Sequence, residues 1–402
     1  MQEKYYIVSA TIQNLTATEI TNIAARAVRT ADRKGKVTQY PLVDGGEGTI
    51  EHLVTATLGS FLEVEATGAN GEQIIVPLGF AGESGNIGVI EMGAIAREKA
   101  IPESKKKTSK AKTKEIKFAG TTYGIGELIR DALDEGTNSV LLGWDEPLAP
   151  DGGFGMAQAL GIKFFDEKDN ELDFRSETPL HQVHRIDMTS RPFEMLSARY
   201  YVARSASVLT TKRRDQVSVD DTIFEAELDR IAKIVKKDCG IAVKTSGCIS
   251  GGSYIDFGLA AFLSAEIRDG ASLVLEGSGL SAALAGGGTI FILAERVEDI
   301  TSDKAAQVMK DVLRIAGETK VKVITITQET AKPATETRMK NTYPCIAACY
   351  SLDAVELFAA PIAIDAAPAE KRRQMSARLE KLLPRIIHER TEADIRKIVA
   401  AE

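Results

Sequence analysis

Residues 37–58 read VTQYPLVDGGEGTIEHLVTATL, and this stretch is decisive for the class of fold. It begins with the pattern of a buried strand and ends with that of a helix, which stops before Gly59. The loop between them carries two carboxylates, Asp44 and Glu47, among three glycines. Glycine lets a backbone approach a ligand closely, and carboxylates can hold Mg²⁺ or hydrogen-bond a polyol. The loop is therefore a candidate site, with the residues Asp44, Gly45, Gly46, Glu47, Gly48 and Thr49.

Two further loops have the same character. Residues 121–128 read TTYGIGEL and residues 150–156 read PDGGFGM, and each stretch opens a helical pattern. Three such loops predict one ligand cleft on an α/β scaffold, between two domains and lined by Asp44, Glu47 and Asp151. Asp151 as a plain helix cap is an equally good interpretation. The candidates in these two loops are Tyr123, Gly124, Asp151, Gly152 and Gly153.

Strands and helices alternate at both ends of the chain. Residues 5–9 are predicted to form a strand, and Thr16 with Glu19 has the pattern of a capping box at a helix start. Strands are predicted again at residues 290–294 and 321–326, around a helix. Such alternation is typical of a parallel sheet with helices on its faces.

The middle of the chain differs from its ends, because glycines break residues 61–92 into short alternating strands. We therefore predict a two-domain α/β protein. A discontinuous, parallel-sheet, Rossmann-like core domain comprises residues 1–60 and 285–402, and a second α/β domain, residues 61–284, is inserted into it. The final helix, about residues 367–400, is predicted to be interrupted at Pro384.

Composition excludes several classes of protein. The chain has 402 residues, 44% of them hydrophobic and 27% charged, as in ordinary globular proteins. A net charge of −7 argues against binding to nucleic acid or to a membrane surface. No apolar run approaches the ~20 residues that span a bilayer, and the N-terminus lacks a signal-peptide pattern. We expect a cytoplasmic protein. The spacing of cysteines and histidines predicts no metal site, and the sequence does not determine the oligomeric state.

The three loops together resemble those of the bacterial glycerate kinase family, which phosphorylates D-glycerate with ATP. The resemblance continues through residues 251–265 and 270–275 and covers nearly the whole chain. It implies a hydroxy acid and a nucleotide as small-molecule partners, with ATP and Mg²⁺ required. It also implies that Asp44 and Glu47 belong to the active-site cleft, where they would orient the acceptor or Mg²⁺ with help from Asp151.

Other motifs of that family are altered here. The family carries Asp-Ser-Phe-Lys-Gly after its first strand, whereas residues 9–13 read SATIQ and keep neither charge. Before Asp151 the family has a stretch of small residues, but residues 143–150 read GWDEPLAP. Arg296 survives from a fourth motif, and Lys304 is expected to match a later family residue. By resemblance both would neutralise phosphates, although Arg296 as a simple salt-bridge partner is equally compatible with the sequence.

Two interpretations follow. In the first, the chain is an ATP-dependent kinase for glycerate or a related hydroxy acid, and another cation replaces the one missing at Ile12. In the second, it is a catalytically degenerate family member that binds a metabolite or another protein. The sequence leaves both open.

Overall fold

A computed structural model of the chain describes eleven segments: residues 2–13, 15–82, 84–97, 120–146, 148–175, 179–210, 219–244, 254–301, 307–329, 333–353 and 367–399. The strands are β1 (Lys4–Ser9), β2 (Lys36–Pro41), β3 (Ser60–Thr67), β4 (Gln73–Ala81), β5 (Ile87–Glu91), β6 (Ser139–Trp144), β7 (Lys163–Phe165), β8 (Arg185–Asp187), β9 (Arg199–Arg204), β10 (Glu266–Asp269), β11 (Thr289–Ala294), β12 (Lys322–Thr327) and β13 (Ile346–Ser351). The helices are α1 (Ala17–Ala31), α2 (Thr49–Thr57), α3 (Ala94–Arg97), α4 (Tyr123–Asp134), α5 (Phe154–Ala159), α6 (Phe193–Ser197), α7 (Ala206–Thr210), α8 (Val219–Cys239), α9 (Ile255–Leu263), α10 (Gly270–Gly277), α11 (Leu280–Leu284), α12 (Glu298–Thr301), α13 (Gln307–Glu318), α14 (Pro333–Thr342) and α15 (Pro368–Val399).

Contacts divide the chain into two compact units. Unit 1 comprises residues 1–43 and 274–402, and unit 2 comprises residues 44–273. The predicted boundaries at residues 60 and 285 follow from the strand–helix alternation at both ends and the glycine-broken strands between them, whereas the contacts assign α2 and the loop before it to unit 2. Unit 1 is discontinuous in sequence.

Unit 1 is built on a five-stranded sheet in the order β2-β1-β11-β12-β13, and every neighbouring pair is parallel. Strands from both ends of the chain therefore share one sheet. This is the doubly wound order in which the connections reverse direction between the first and third strands of the unit, here β1 and β11. The predicted α/β class with a parallel, Rossmann-like sheet is confirmed.

Helices cover both faces of this sheet. Tyr5 and Ile7 of β1 pack with α1 and α15 in one apolar cluster. Tyr6 points to the opposite face, since alternate residues of a strand do so, and its hydroxyl donates to the carbonyl of Ala283 in α11. The predicted capping box at the start of α1 is confirmed, because Thr16 and Glu19 exchange both hydrogen bonds.

The predicted interruption at Pro384 is wrong. Pro384 lies inside α15, which runs unbroken over the described residues from Pro368 to Val399. A proline removes one backbone hydrogen bond from a helix interior. Apolar side chains on both sides of it hold the helix against α1, namely Met375, Leu379, Leu382, Leu383, Ile386 and Ile387.

Unit 2 contains a six-stranded mixed sheet in the order β10-β9-β6-β5-β4-β3. The strands β5, β6, β9 and β10 are parallel, whereas β3 and β4 add an antiparallel hairpin at one side. The four parallel strands end side by side, with Glu91 paired to Gly143 and Arg204 paired to Asp269. We call this end of the sheet the carboxyl edge. Open α/β sheets bind ligands at this edge.

In the described segments, no helix combines the length and the apolar character needed to cross a bilayer.

Candidate active site

The carboxylate loop lies on the carboxyl edge of unit 2. A Cβ atom on Gly45 would overlap the carbonyl oxygen of Ala203, the penultimate residue of β9. A Cβ atom on Gly143, near the end of β6, would in turn overlap the carbonyl oxygen of Gly45. The backbone at Gly45 therefore touches two neighbouring strand ends, and Gly45 is required for this close approach.

Asp44 is held at this edge by a serine. Its Oδ2 atom accepts a hydrogen bond from Ser205 Oγ, and Ser205 N donates to the carbonyl of Trp144 at 2.8 Å. Burial raises the pKa of Asp44, the Ser205 hydrogen bond lowers it, and the charges of Asp145 and Asp269 raise it. A carboxylate with a raised pKa is a better proton acceptor than an ordinary surface aspartate.

One arginine joins three acids beside the loop. Arg97 lies 3.5 Å from Glu91, 3.2 Å from Asp145 and 2.6 Å from Glu146, measured between guanidinium nitrogens and carboxylate oxygens. Burial lowers the pKa of Arg97, but four neighbouring carboxylates, Glu47 among them, outweigh it and the pKa is raised. Among the described residues around the carboxylate loop, acids therefore outnumber cations.

Glu91 also fixes the helix that follows the loop. Its Oε1 atom accepts a hydrogen bond of 3.0 Å from the backbone N–H of Ile50, in the first turn of α2. Gly48 begins this helix with a φ of 90°. Thr49 is buried there, whereas Glu47 is exposed. The α2 N-terminus is thus capped by a strand residue rather than by its own loop.

The second and third predicted loops meet each other at Asp151. This side chain is completely buried, and it accepts hydrogen bonds from the N–H groups of Thr122 (2.7 Å), Gly153 (2.9 Å) and Gly155 (3.1 Å). The Thr122 hydroxyl is a fourth donor, at 2.9 Å. Burial raises the pKa of Asp151 to about 6 although these hydrogen bonds lower it. The contacts favour the helix-cap interpretation, since donors at the starts of α4 and α5 form hydrogen bonds with both carboxylate oxygens.

Close packing and backbone conformation also explain why these loops contain glycines. A Cβ atom on Gly124 would overlap the carbonyl oxygen of Thr67, so α4 touches β3 there. Gly152 and Gly153 have φ of 65° and 82°, and a Cβ atom on Gly153 would lie 2.9 Å from Gly258 Cα. The hydroxyl of buried Tyr123 accepts a hydrogen bond from Arg175 at 3.0 Å. Their predicted contacts with a ligand stay predictions.

Arg296 and Lys304 belong to unit 1. Arg296 is exposed, and its guanidinium group pairs with the Asp299 carboxylate at 3.1 Å. The backbone N–H of Arg296 donates a hydrogen bond to the same carboxylate. These contacts favour the salt-bridge interpretation. Lys304 lies outside the described residues.

The altered motif after β1 has become part of the unit 1 core. Ser9 and Ile12 are both completely buried, and Ile12 packs in the cluster formed with α1 and α15. The position aligned with the family's lysine therefore holds a core side chain next to the reversal point of the sheet.

Sequence reasoning missed Glu91, Arg97, Asp145 and Ser205 as neighbours of the carboxylate loop. One signal was present: Glu91 and Asp145 each stand where an apolar, strand-like run ends. Polar residues at the carboxyl ends of parallel strands converge on one edge.

His52 gives unit 2 a testable pH dependence. Its imidazole is buried on α2, and burial lowers its pKa to about 4 from 6.5. Between these values the unfolded chain protonates His52 and the folded chain does not, so the contribution of His52 to stability falls as the pH drops from 6.5 to 4, while the raised pKa of Asp151 acts in the opposite direction. We expect His52→Leu to remove about 2–3 kcal/mol of this loss, measured by urea unfolding at several pH values.

The control for this measurement is His184→Gln. His184 is exposed, so its replacement shows whether the loss of any imidazole from unit 2 changes the pH dependence of stability. A pH dependence that is the same in His52→Leu and in the parent protein would contradict the assignment.

Comparison with known proteins identifies the family. The model of the glycerate kinase family matches residues 11–207 and 217–370. The chain belongs to the glycerate kinase family. The matched ranges include the carboxylate loop and the carboxyl edge of unit 2, and they end near the start of α15.

Several curated glycerate kinases are similar to this family member. Glycerate kinase of Haemophilus influenzae is 27% identical over 66% of this chain and 70% of its own. Glycerate 2-kinase of Escherichia coli K12 is 25% identical over 80% of this chain and 81% of its own. A crystal structure from Salmonella typhimurium LT2, of a protein provisionally called glycerate kinase 2, shares the fold. Its TM-score is 0.72 with 22% identity, over 98% of this chain and 100% of that one.

Proposed function

We propose that this chain phosphorylates D-glycerate or a related small hydroxy acid with ATP, at the carboxyl edge of unit 2. The observation that carries the proposal is Asp44: a half-buried carboxylate with a raised pKa, held by Ser205 at the ends of parallel strands. Family membership supplies the class of reaction.

Asp44 is proposed to accept the proton of the acceptor hydroxyl. As the hydroxyl oxygen bonds to the γ-phosphorus of ATP, its proton passes to Asp44 and ADP leaves. The protein contributes mainly positioning and electrostatic stabilisation to such transfers. Ser205 keeps the Asp44 side chain at one orientation, so it is proposed as a positioning residue.

Mg²⁺ is proposed to arrive with ATP. Among the described residues, no group of three acidic, histidine or cysteine side chains could hold a metal ion by itself. Mg²⁺ is commonly bound by one or two carboxylates together with substrate phosphates, and Asp44, Glu47 and Asp145 could supply these. The ion would neutralise phosphate charge beside a cluster whose described residues include three acids and one arginine.

We propose that turnover is slow. The aligned cation is replaced by buried Ile12, and Arg97 is already shared among three carboxylates. Loss of one preorganised group that stabilises developing charge typically costs about 10²–10³ in rate. Arg296 and Lys304 stay predicted phosphate contacts.

The expected result with Asp44→Asn is a loss of about a hundredfold in kcat, because asparagine cannot accept the hydroxyl proton. The measurement is coupled ADP release with Mg²⁺-ATP and D-glycerate, followed by other small 2- and 3-hydroxy acids. Asp134→Asn, which removes an exposed carboxylate at the end of α4, is the matched control and should retain the parent rate.

Two outcomes would overturn the proposal. One is equal turnover in Asp44→Asn and the parent protein. The other is no ADP release with any acid while calorimetry still detects hydroxy-acid binding. The second outcome would instead support the degenerate, metabolite-binding interpretation.

A further inference from the structure

Unit 1 contains an open groove between α1 and α15 with a volume of about 790 Å³. This lies within the size range of small-molecule sites. Apolar packing fixes the positions of both helices, because their side chains join one cluster on the same face of the sheet. The groove is lined by Glu19, Asn22, Ile23, Arg26, Arg29, Arg372, Arg373, Ser376, Ala377 and Glu380.

Positive charge dominates this lining, with four arginines against two glutamates. Both glutamates already have partners. Glu19 accepts the backbone N–H of Thr16 and pairs with Arg372 at 3.3 Å, and Glu380 accepts the Ser376 hydroxyl at 2.7 Å. Such an excess of cations is notable in a chain whose net charge is −7.

Two of the arginines lack an acidic partner in the part of the chain that the structure describes. Arg373 pairs with Glu370 at 2.9 Å and Arg372 with Glu19. Among the residues that the structure describes, no carboxylate forms an ion pair with Arg26 or Arg29. These two are three residues apart on α1, so their side chains share a helix face and repel each other. The helix dipole favours Arg29 in the last turn, but it gives no reason for Arg26.

The lining also indicates the class of ligand. Guanidinium groups bind phosphate through paired hydrogen bonds, and several of them together suit an anion with more than one phosphate. Among the described residues, the lining contains no aromatic ring on which a base could stack, so these residues would recognise the phosphate chain rather than a nucleobase. The net charge of the protein disfavours nucleic acid as the occupant.

We propose that the groove between α1 and α15 binds a small di- or triphosphate anion, with Arg26 and Arg29 as its principal contacts. Five of the lining residues, including Arg372 and Arg373, lie beyond residue 370, where the match to the family model ends. The described lining of the groove contains none of the residues assigned above to phosphoryl transfer. The groove is therefore proposed as a second anion site, built from other residues than the proposed reaction site.

The test is isothermal titration of the full-length protein with inorganic pyrophosphate and tripolyphosphate, in Mg²⁺-free buffer at low salt. We expect Arg26→Gln/Arg29→Gln to weaken binding at least tenfold. The matched control Arg33→Gln/Arg338→Gln removes the same charge from exposed positions of unit 1 outside the groove, and it should bind like the parent protein. Circular dichroism verifies folding of both variants.

A parallel titration with ADP identifies the source of the phosphates. A tenfold loss confined to pyrophosphate and tripolyphosphate would assign the groove to inorganic anions, and the same loss for ADP would extend it to nucleotides. Equal affinity of the two double variants for all three probes, or no binding to the parent protein, would overturn the proposal. Neither result depends on ADP release from glycerate phosphorylation, so the two proposals fail separately.

Discussion

Asp151→Ala is expected to destabilise unit 2 by about 3–5 kcal/mol, in the range found when one partner of a buried charged network is removed. The substitution leaves three backbone N–H groups and the Thr122 hydroxyl without their acceptor, in a place that water does not reach. Each buried donor left unsatisfied costs about 1–3 kcal/mol, and partial relaxation reduces the sum. The measurement is urea unfolding followed by circular dichroism.

Two further variants show why the carboxylate matters. Asp166→Ala removes another aspartate that accepts backbone N–H groups, from Lys168 and Asn170, but near the surface, where water can replace it. This control should be destabilised much less than Asp151→Ala. Asp151→Asn keeps one acceptor oxygen and should fall between the two alanine variants. If Asp151→Asn were as stable as the parent and yet lost turnover, Asp151 would be a ligand contact rather than a cap.

Local patterns in the sequence predicted the local structure well. The capping box of Thr16 and Glu19, the strand before the carboxylate loop and the helix after it depend on residues close in sequence. The pairing of β1 with β11 was also predictable, because apolar strands at both ends of the chain are flanked by helices. The predicted interruption of the helix at Pro384 was wrong, because packing against α1 outweighs the single hydrogen bond that a proline removes.

The surroundings of Asp44 could not be predicted in the same way. The contacts of Arg97 with Glu91 and Asp145 depend on the register between β5 and β6, which no local pattern specifies. The contacts of glycines are difficult to predict for a different reason. A sequence does not distinguish a glycine that touches a ligand from one that touches another backbone, and Gly124 touches Thr67. Burial of Ile12 likewise follows from the packing of α1 and α15.

Gly45→Ala is expected to displace the carboxylate loop from the carboxyl edge, with a loss of about 2–5 kcal/mol in stability. Gly45 has a φ of 103°, which an alanine adopts only with strain of about 1–2 kcal/mol. Its new Cβ atom would also overlap the carbonyl oxygen of Ala203 and lie 3.0 Å from the carbonyl carbon. Overpacking of this kind typically costs a further 1–3 kcal/mol.

Gly136→Ala separates these two contributions. Gly136 follows α4 in the same unit and has a similar φ of 90°, but no atom lies within 4 Å of where its Cβ would stand. It should therefore show the backbone strain alone, and the difference between the two variants measures the contact with β9. Equal destabilisation would mean that the loop does not press on the strand ends.

The same pair of variants connects the loop to the proposed chemistry. Moving Gly45 moves the neighbouring Asp44 away from Ser205, whereas the strain at Gly136 is far along the chain from both. ADP release in Gly45→Ala should therefore fall at least as far as in Asp44→Asn, under conditions where the variant is still folded, while Gly136→Ala keeps the parent rate. If folded Gly45→Ala retained full turnover, the close contact of the loop with β6 and β9 would contribute to stability alone. Asp44 would then not need its fixed position to act as a base.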